Sequence, residues 1–475
     1  MPHSNSTTDI EKDTGCEKEV EGDSPISETL EEFEKAAAPS SEHDEELNDD
    51  EKAAKNADGA SLTQVTSKLS VNNIKNVPNG GLAAWLQVLG SFFVFFNTWG
   101  IVNAFGIYQT YYSENFLSSS TPSDISWIGS IEAFLLMLVG TIAGPIYDKG
   151  YAHQLLAVGS TLIILGQMML SLSSQYYQVF LAQGVSIGIG TGLIFVSGVA
   201  ILSTYFSTKI ATATGIAAAG SSIGGMLYPI IFYKLQPMIG FAWATRVLGF
   251  IALTTLGISN ILLRVRVYPD TRRAFFDWPA WKELPYLFFN MGNLFAFFGL
   301  YAPFFYIQSF VLEEGIMGPE LAFYTLAVLN AASTFGRVIP NYVADRLGPL
   351  NIICPSAGLS GILQFGLIRA RSTTSVMIII ALYGFFSGTL VSLPTTCYVA
   401  IAGPKNRGKI GARMGQGFAV VSIGMLCGTP ITGAILSASD FRYVWMFGGL
   451  FSILGSVFLT LARFAQAGWV LKKKV

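Results

Sequence analysis

The sequence predicts an all-α membrane protein with twelve transmembrane helices in two pseudo-symmetric six-helix halves. Three observations predict it. Half of the 475 residues are hydrophobic and only 13% are charged, with a mean hydropathy of +0.48, a balance outside that of soluble domains. From Gly81 onward the apolar residues fall into segments long enough to cross a hydrocarbon core of about 30 Å at about 1.5 Å per residue. Finally, residues recur at a nearly constant offset. Lys209, Gly215, Ser222, Ile223 and Gly224 find their types again at Lys409, Gly415, Ser422, Ile423 and Gly424, and Asp148-Lys149-Gly150 is echoed by Asp345-Arg346-Leu347-Gly348. Because six helices are an even number, halves related this way run in the same sense through the bilayer, the parallel-repeat arrangement.

Taken in order, residues 1–78 hold 19 Asp and Glu against 7 Lys and few large apolar residues. Such a composition cannot bury enough surface to offset the entropy of ordering, so a disordered acidic tail is expected. It contains no apolar h-region of signal-peptide length, so the first hydrophobic helix directs insertion itself. The spans are expected near 81–107, 126–146, 152–173, 177–203, 209–233 and 241–263 for the first half (79–263). Those of the second half (284–466) are expected near 284–310, 319–343, 350–369, 374–400, 409–437 and 442–465. A loop, 264–283, joins the halves, and a basic end, 467–475, closes the chain. With both termini in the cytosol, the inside segments collect most of the loop cations, among them Lys149, Lys209, Arg264, Arg346 and Lys409, while the outside ones hold Lys234, Arg369, Arg371 and Arg442. Both termini inside is therefore preferred, and the Asn5-Ser6-Thr7 sequon should carry no glycan. Lys472-Lys473-Lys474 fits an anchor to anionic lipid or, alternatively, a retrieval signal.

The eighth span carries a contradiction. In Leu326 to Gly348, Asn330, Thr334, Arg337 and Asn341 recur at steps of four, three and four, making one polar stripe on an apolar helix. An Arg at the bilayer centre costs at least about 2.5–3.5 kcal/mol on insertion scales, so it should face protein or a water-filled path. Arg337 is expected to face a solute pathway, where its planar fork suits a carboxylate; the plainer reading is that it locks helices together. Glu132 is the only acid in the apolar body of the second span, where a naked charge is costly. It is the candidate for proton coupling, against a static interhelical hydrogen bond. Asn290 and Asn293 share a face of span seven with Phe297 and Tyr301, and Asn97, Trp99 and Asn103 offer similar groups in span one. With Asn330, these amides and rings suit an amphipathic organic solute, though a single Asn is more often helix glue. Gln183 and Tyr228 are weaker candidates, and Pro340 can loosen the end of span eight.

Other chemistries find little support. The four cysteines lack the close pairing of a zinc site or disulfide framework, and no metal- or cofactor-binding pattern appears. No Walker-type phosphate loop is present. The three histidines, His3, His43 and His153, leave no His–acid pair within the helices, so an enzyme is not expected.

Residues Asn79-Gly80-Gly81-Leu82-Ala83-Ala84-Trp85 resemble the Asp-Gly-Gly motif that opens proteins of the monocarboxylate porter family, within the major facilitator superfamily. Tyr205-Phe206, Lys209, Gly215-Ile216-Ala217 and Gly220-Ser221-Ser222-Ile223-Gly224-Gly225 resemble its signature at span five. The long tail and the wording LAAWLQVLG are similar to the fungal branch. The resemblance implies the major facilitator fold and a secondary active transporter that exposes a central site alternately to each side. It also implies a latch role for Asp148 and Asp345. Asn79 stands where the family has an acid, and Asn103 and Ser333 stand where the animal lactate carriers have Lys and Asp, so their lactate–proton mechanism does not carry over wholesale. The expected cargo is a small organic anion, a monocarboxylate-like compound or an exported secondary metabolite, with proton coupling. The expected form is a monomer in the plasma membrane, with the endoplasmic reticulum and vacuole as alternatives. No nucleic-acid partner is expected. The competing class is a non-transporting nutrient sensor with the acidic tail as its output.

Overall fold

The computed structural model describes residues 78–207, 209–266, 276–403, 406 and 409–469. The acidic tail to residue 77 with its sequon, Cys16, His3 and His43, residues 267–275 of the joining loop, and Lys472 to Lys474 lie outside the described residues. Every regular element among the described residues is helical.

The helices are α1 (Leu82–Phe116), α2 (Pro122–Asp148), α3 (Ala152–Leu170) and α4 (Tyr176–Tyr205), then Ile210–Leu262, which holds two. At 53 residues that stretch is more than twice what a bilayer needs, and Gly240 breaks it with φ 79°. Both arms return to the same partner. Tyr228 on the first arm donates to the Asn97 side chain at 2.6 Å, and Asn97 donates to Thr255 on the second at 2.8 Å. The arms before and after Gly240 are α5 and α6. The second half comprises α7 (Leu284–Glu313), α8 (Pro319–Leu347), α9 (Pro349–Leu367), α10 (Thr373–Ser392, continued by Pro394–Ala402), α11 (Ile410–Ala438) and α12 (Phe441–Ala467). Among the described residues ten helices are long and apolar enough to span a membrane. Splitting Ile210–Leu262 adds one, and α8, diluted by its polar stripe, is the twelfth.

Boundaries fall within a few residues of expectation, and the differences have local causes. α2 begins at Pro122 rather than near 126 because Thr121 and Asp124 cap it reciprocally, each backbone N–H donating to the other's side chain at 3.1 Å. α1 runs on to Phe116, but in pieces, with breaks at Thr98 and Ala104 and a π turn at its end. α7 breaks at Tyr301, ahead of Pro303. Irregular backbone of this kind survives at membrane depth only inside protein. Accordingly, 83% of the apolar window of α1 and 78% of that of α7 are buried, against 39% for α12.

The pseudo-symmetry is written into the packing. On α5, a side chain at Gly224 would come within 2.5 Å of the Phe96 carbonyl of α1; on α11, one at Gly424 would come within 2.7 Å of the Leu294 carbonyl of α7. Flanking turns use the same device without being symmetry mates: Gly220, one turn before Gly224, meets the Phe92 carbonyl, and Gly428, one turn after Gly424, meets that of Phe298. The helix-ending glycines of the two Asp-initiated turns match as well, Gly150 with φ 100° and Gly348 with φ 96°.

Candidate functional site

Taking the end at which α1 begins as the tail side, α5 and α8 run antiparallel along the seam between the halves. Tyr233 stacks on Phe323, with centroids 4.1 Å apart, toward the far side. Gly215 lies against the Arg337 carbonyl on the tail side. Between these contacts the polar stripe of α8 turns inward.

Arg337 is 0% exposed. Side chains on a helix lean toward its N-terminus, and the guanidinium follows: Nε donates to Ser333 Oγ at 3.4 Å, one turn back, while Nη1 crosses the seam to Ser221 Oγ of α5 at 2.6 Å. Nη2 makes no hydrogen bond. Both bonds go to hydroxyls. A buried cation held only by neutral groups retains most of its attraction for an anion.

Three neighbours extend the cluster. Asn330, two turns before Arg337, donates its amide to Leu326 O at 3.0 Å, which leaves Oδ1 without a donor. Asn103 of α1 accepts a long bond from the Tyr301 hydroxyl of α7, 3.5 Å, and its Nδ2 is unpartnered. Gly225 packs against both side chains, with room for none of its own: a Cβ there would be 2.5 Å from Asn330 Oδ1 and 2.8 Å from Asn103 Cβ. Tyr301 lies close enough to Arg337 to interact with it electrostatically. Arg337, Asn330 and Asn103, expected at the site, are therefore brought together with Ser221 and Tyr301 by α1, α5, α7 and α8.

Other expected residues lie elsewhere. Asn290 donates to Tyr286 O at 2.9 Å and accepts from Tyr398 at 2.6 Å, both within the second half. Asn293 donates to Phe289 O at 2.8 Å. Among the described residues no hydrogen bond joins either to the Arg337 cluster. Asn341, last of the stripe, turns away to Ser392 of α10 at 2.8 Å. Glu132 is 0% exposed, and neither carboxyl oxygen has a hydrogen-bond partner. It sits within the first half, its backbone against Gly188 of α4 and its carboxyl in electrostatic reach of Tyr108 and Tyr112 of α1. Gln183 accepts from Tyr112 at 2.8 Å. Tyr108, whose hydroxyl is also unpartnered, was missed by the sequence reading, although the 104–108–112 spacing puts it on the face of Tyr112. Asp148 is buried at the end of α2, and Asp345 is exposed near the end of α8.

The halves meet on both sides of Arg337. On the far side Ser123 of α2 donates to Pro430 O of α11 at 3.0 Å, and the Ser130 and Thr429 hydroxyls are hydrogen-bonded. On the tail side Thr141 donates to Gly415 O at 3.0 Å. Arg337, Asn330, Asn103 and Tyr301 are all buried, so the expected solute pathway is closed at the site in this conformation.

A tail-side ion cluster was not anticipated. Arg413, one turn into α11, grips Glu283 with both ends of its fork, at 2.6 and 2.8 Å, and Asp277 at 2.9 Å; Lys409 adds a contact to Asp277 at 3.1 Å. Burial pushes the Asp277 carboxyl up, but hydrogen bonds and charge from Arg413 and Lys409 outweigh it and hold the group below the usual carboxylate range. The first half has the neutral counterpart: Asn79, ahead of α1, accepts from the Ser207 backbone at 2.7 Å and hydroxyl at 3.1 Å, just before α5. The available signal was a cation inside a span opposite two acids before α7.

The sequence matches the pattern of the Major Facilitator Superfamily over residues 88–418. It is 48% identical to the MFS-type transporter dbaD of Emericella nidulans over 81% of this chain and 87% of that one. The aspyridones efflux protein apdF of the same organism is 38% identical over 80% of this chain and 77% of its own. The agnestins efflux protein AgnL12 of Paecilomyces divaricatus is 37% identical over 80% and 87%.

Proposed function

Because the chain belongs to the major facilitator superfamily, it is a multi-pass membrane transporter and not an enzyme, and we propose that it is a secondary active exporter of a small organic anion. The observation that carries the proposal is the buried guanidinium of Arg337, bonded only to the hydroxyls of Ser333 on its own helix and Ser221 across the seam, with one nitrogen unpartnered. An anion arriving there gains a charge-assisted, two-pronged partner. The closure on both sides is what an occluded intermediate of alternating access requires, since rocking of the halves would open the contacts on one side while keeping those on the other. Export is favoured because relatives of 37–38% identity are named for efflux. Glu132, enclosed in the first half beside Tyr108, is the group that would exchange a proton. The reading takes the carrier as a monomer in the plasma membrane, and the distribution of loop cations supports both termini in the cytosol.

The test compares metabolites inside cells and in the medium with the wild-type gene, without it, and with Arg337→Lys. An acidic compound should accumulate inside and fall in the medium on deletion, and Arg337→Lys should reproduce most of that loss. Unchanged export in the variant would remove Arg337 from the site.

A further inference from the structure

A groove lies apart from the seam, on the far side of the second half. There α11 ends at Ala438 and α12 begins at Phe441, and a space of about 670 Å³ is lined by both helices, with Phe365 of α9 as a third wall. The walls follow helical spacing. Ala434 and Ala438, one turn apart on α11, leave the room, while Tyr443, Phe447 and Leu450, at steps of four and three on α12, supply apolar surface. Tyr443 and Leu450 are seven residues apart, about 10 Å along the helix. The groove therefore runs from the far-side end of α12 into one leaflet and stops short of the middle of a core about 30 Å thick. Tyr443 and Leu450 are exposed on a span that the bilayer surrounds, so the medium at this face is lipid.

The far-side end of the groove carries charge. Arg369 follows Phe365 by four residues, just past the end of α9, and Arg442 directly precedes Tyr443 in the first turn of α12. Because α9 runs toward the far side and α12 away from it, both arginines stand at the interfacial end, and both are exposed. Glu314 is engaged by Arg371 at 2.8 Å, and Asp440 accepts from the backbone N–H of Arg442 at 2.9 Å. Among the described residues neither the Arg369 nor the Arg442 guanidinium has a hydrogen-bond or ion-pair partner. The far side is poor in loop cations, yet two of them stand beside one apolar groove.

We propose that this groove binds a glycerophospholipid of net negative charge from the far-side leaflet. An acyl chain lies along Ala434 and Phe447, and the phosphate accepts charge-assisted hydrogen bonds from Arg369 and Arg442. A sterol would leave both guanidiniums unmatched. A second copy of the chain, related by a two-fold axis at this face, would bring the same arginines together, a like-charge juxtaposition that opposes association.

The test titrates full-length protein, purified in detergent and stripped of lipid, with phosphatidylglycerol, phosphatidylcholine and ergosterol, and counts bound molecules by native mass spectrometry. Phosphatidylglycerol should bind in its first step roughly tenfold more tightly than phosphatidylcholine. Arg369→Gln combined with Arg442→Gln should cut that preference below about threefold. Lys234→Gln, on the far side of the first half, should leave it intact, and Ala434→Phe, which fills the groove, should remove the tight step. Equal affinity for the two phospholipids, tighter binding of ergosterol, or a preference that survives the double substitution overturns the proposal. So does a tight step untouched by Ala434→Phe, an equal loss in Lys234→Gln, or a dimer that Ala434→Phe dissociates. All the substituted side chains are exposed, and the wild-type comparison stands on its own should a variant not fold.

Discussion

Arg413 is the residue whose loss the structure prices most clearly in free energy. Its side chain is 2% exposed and bonds to Asp277, 4% exposed, and to Glu283, 38% exposed. Replacing it by Met keeps the volume and removes the charge. Glu283 then hydrates readily, but Asp277 is left with Lys409 alone, 3.1 Å away and itself half exposed. Breaking a buried pair costs about 3–5 kcal/mol. With Glu283 able to reach water and Lys409 remaining, the low end applies, about 3 kcal/mol. Chemical denaturation in detergent micelles should show that loss for Arg413→Met, with a further loss from Asp277→Asn much smaller than the same change causes in the wild type. The pH dependence has a definite sign. Asp277 has a depressed folded-state pKa, so its contribution is complete above the unfolded value, about 3.9, and disappears as pH falls through the lower folded one. Wild type should therefore lose its advantage over Asp277→Asn only below about pH 4. A cost under about 1 kcal/mol for Arg413→Met, or no change in the wild-type advantage across that acid range, would refute the reasoning.

Three other outcomes are expected. Gly336→Ala drives a Cβ into the Phe385 carbonyl and must push α8 from α10; a loss of about 1–3 kcal/mol in the same denaturation assay is expected. Glu132→Gln should flatten the pH dependence of export measured in cells, whereas retention of the wild-type profile would exclude Glu132 from coupling. Asn79→Asp preserves an acceptor for Ser207 and should leave melting nearly unchanged, while Asn79→Leu should lower stability by about 1 kcal/mol.

The helices were legible because each apolar segment is bounded by charge or turn residues, and the 200-residue echo disclosed the halves. Their contacts were less so. Periodicity put Asn330, Arg337 and Asn341 on one stripe, yet it cannot say that Asn341 turns to Ser392 while Arg337 crosses to Ser221, because a face 100° wide meets two neighbours at once. Asn293 read as well as Asn103 did, and only tertiary placement separated them. The break at Gly240 was foreseen as a loop between spans, but the breaks within α1 were hidden: Gly100 and Gly106 follow Thr98 and Ala104 by two residues, and isolated glycines are too common in membrane helices to mark a break.

Among the described residues, α8 alone combines membrane length with too little apolar character to stand with the ten spanning candidates. During synthesis it emerges before α9, α10 and α11 exist to shield it. The helix that bears Arg337 is therefore the least apolar of the spans, and its residence in the bilayer leans on α5 and α7, already made, to receive it. Mutations that weaken those two chaperoning surfaces should reduce the amount of mature protein before they alter what it carries.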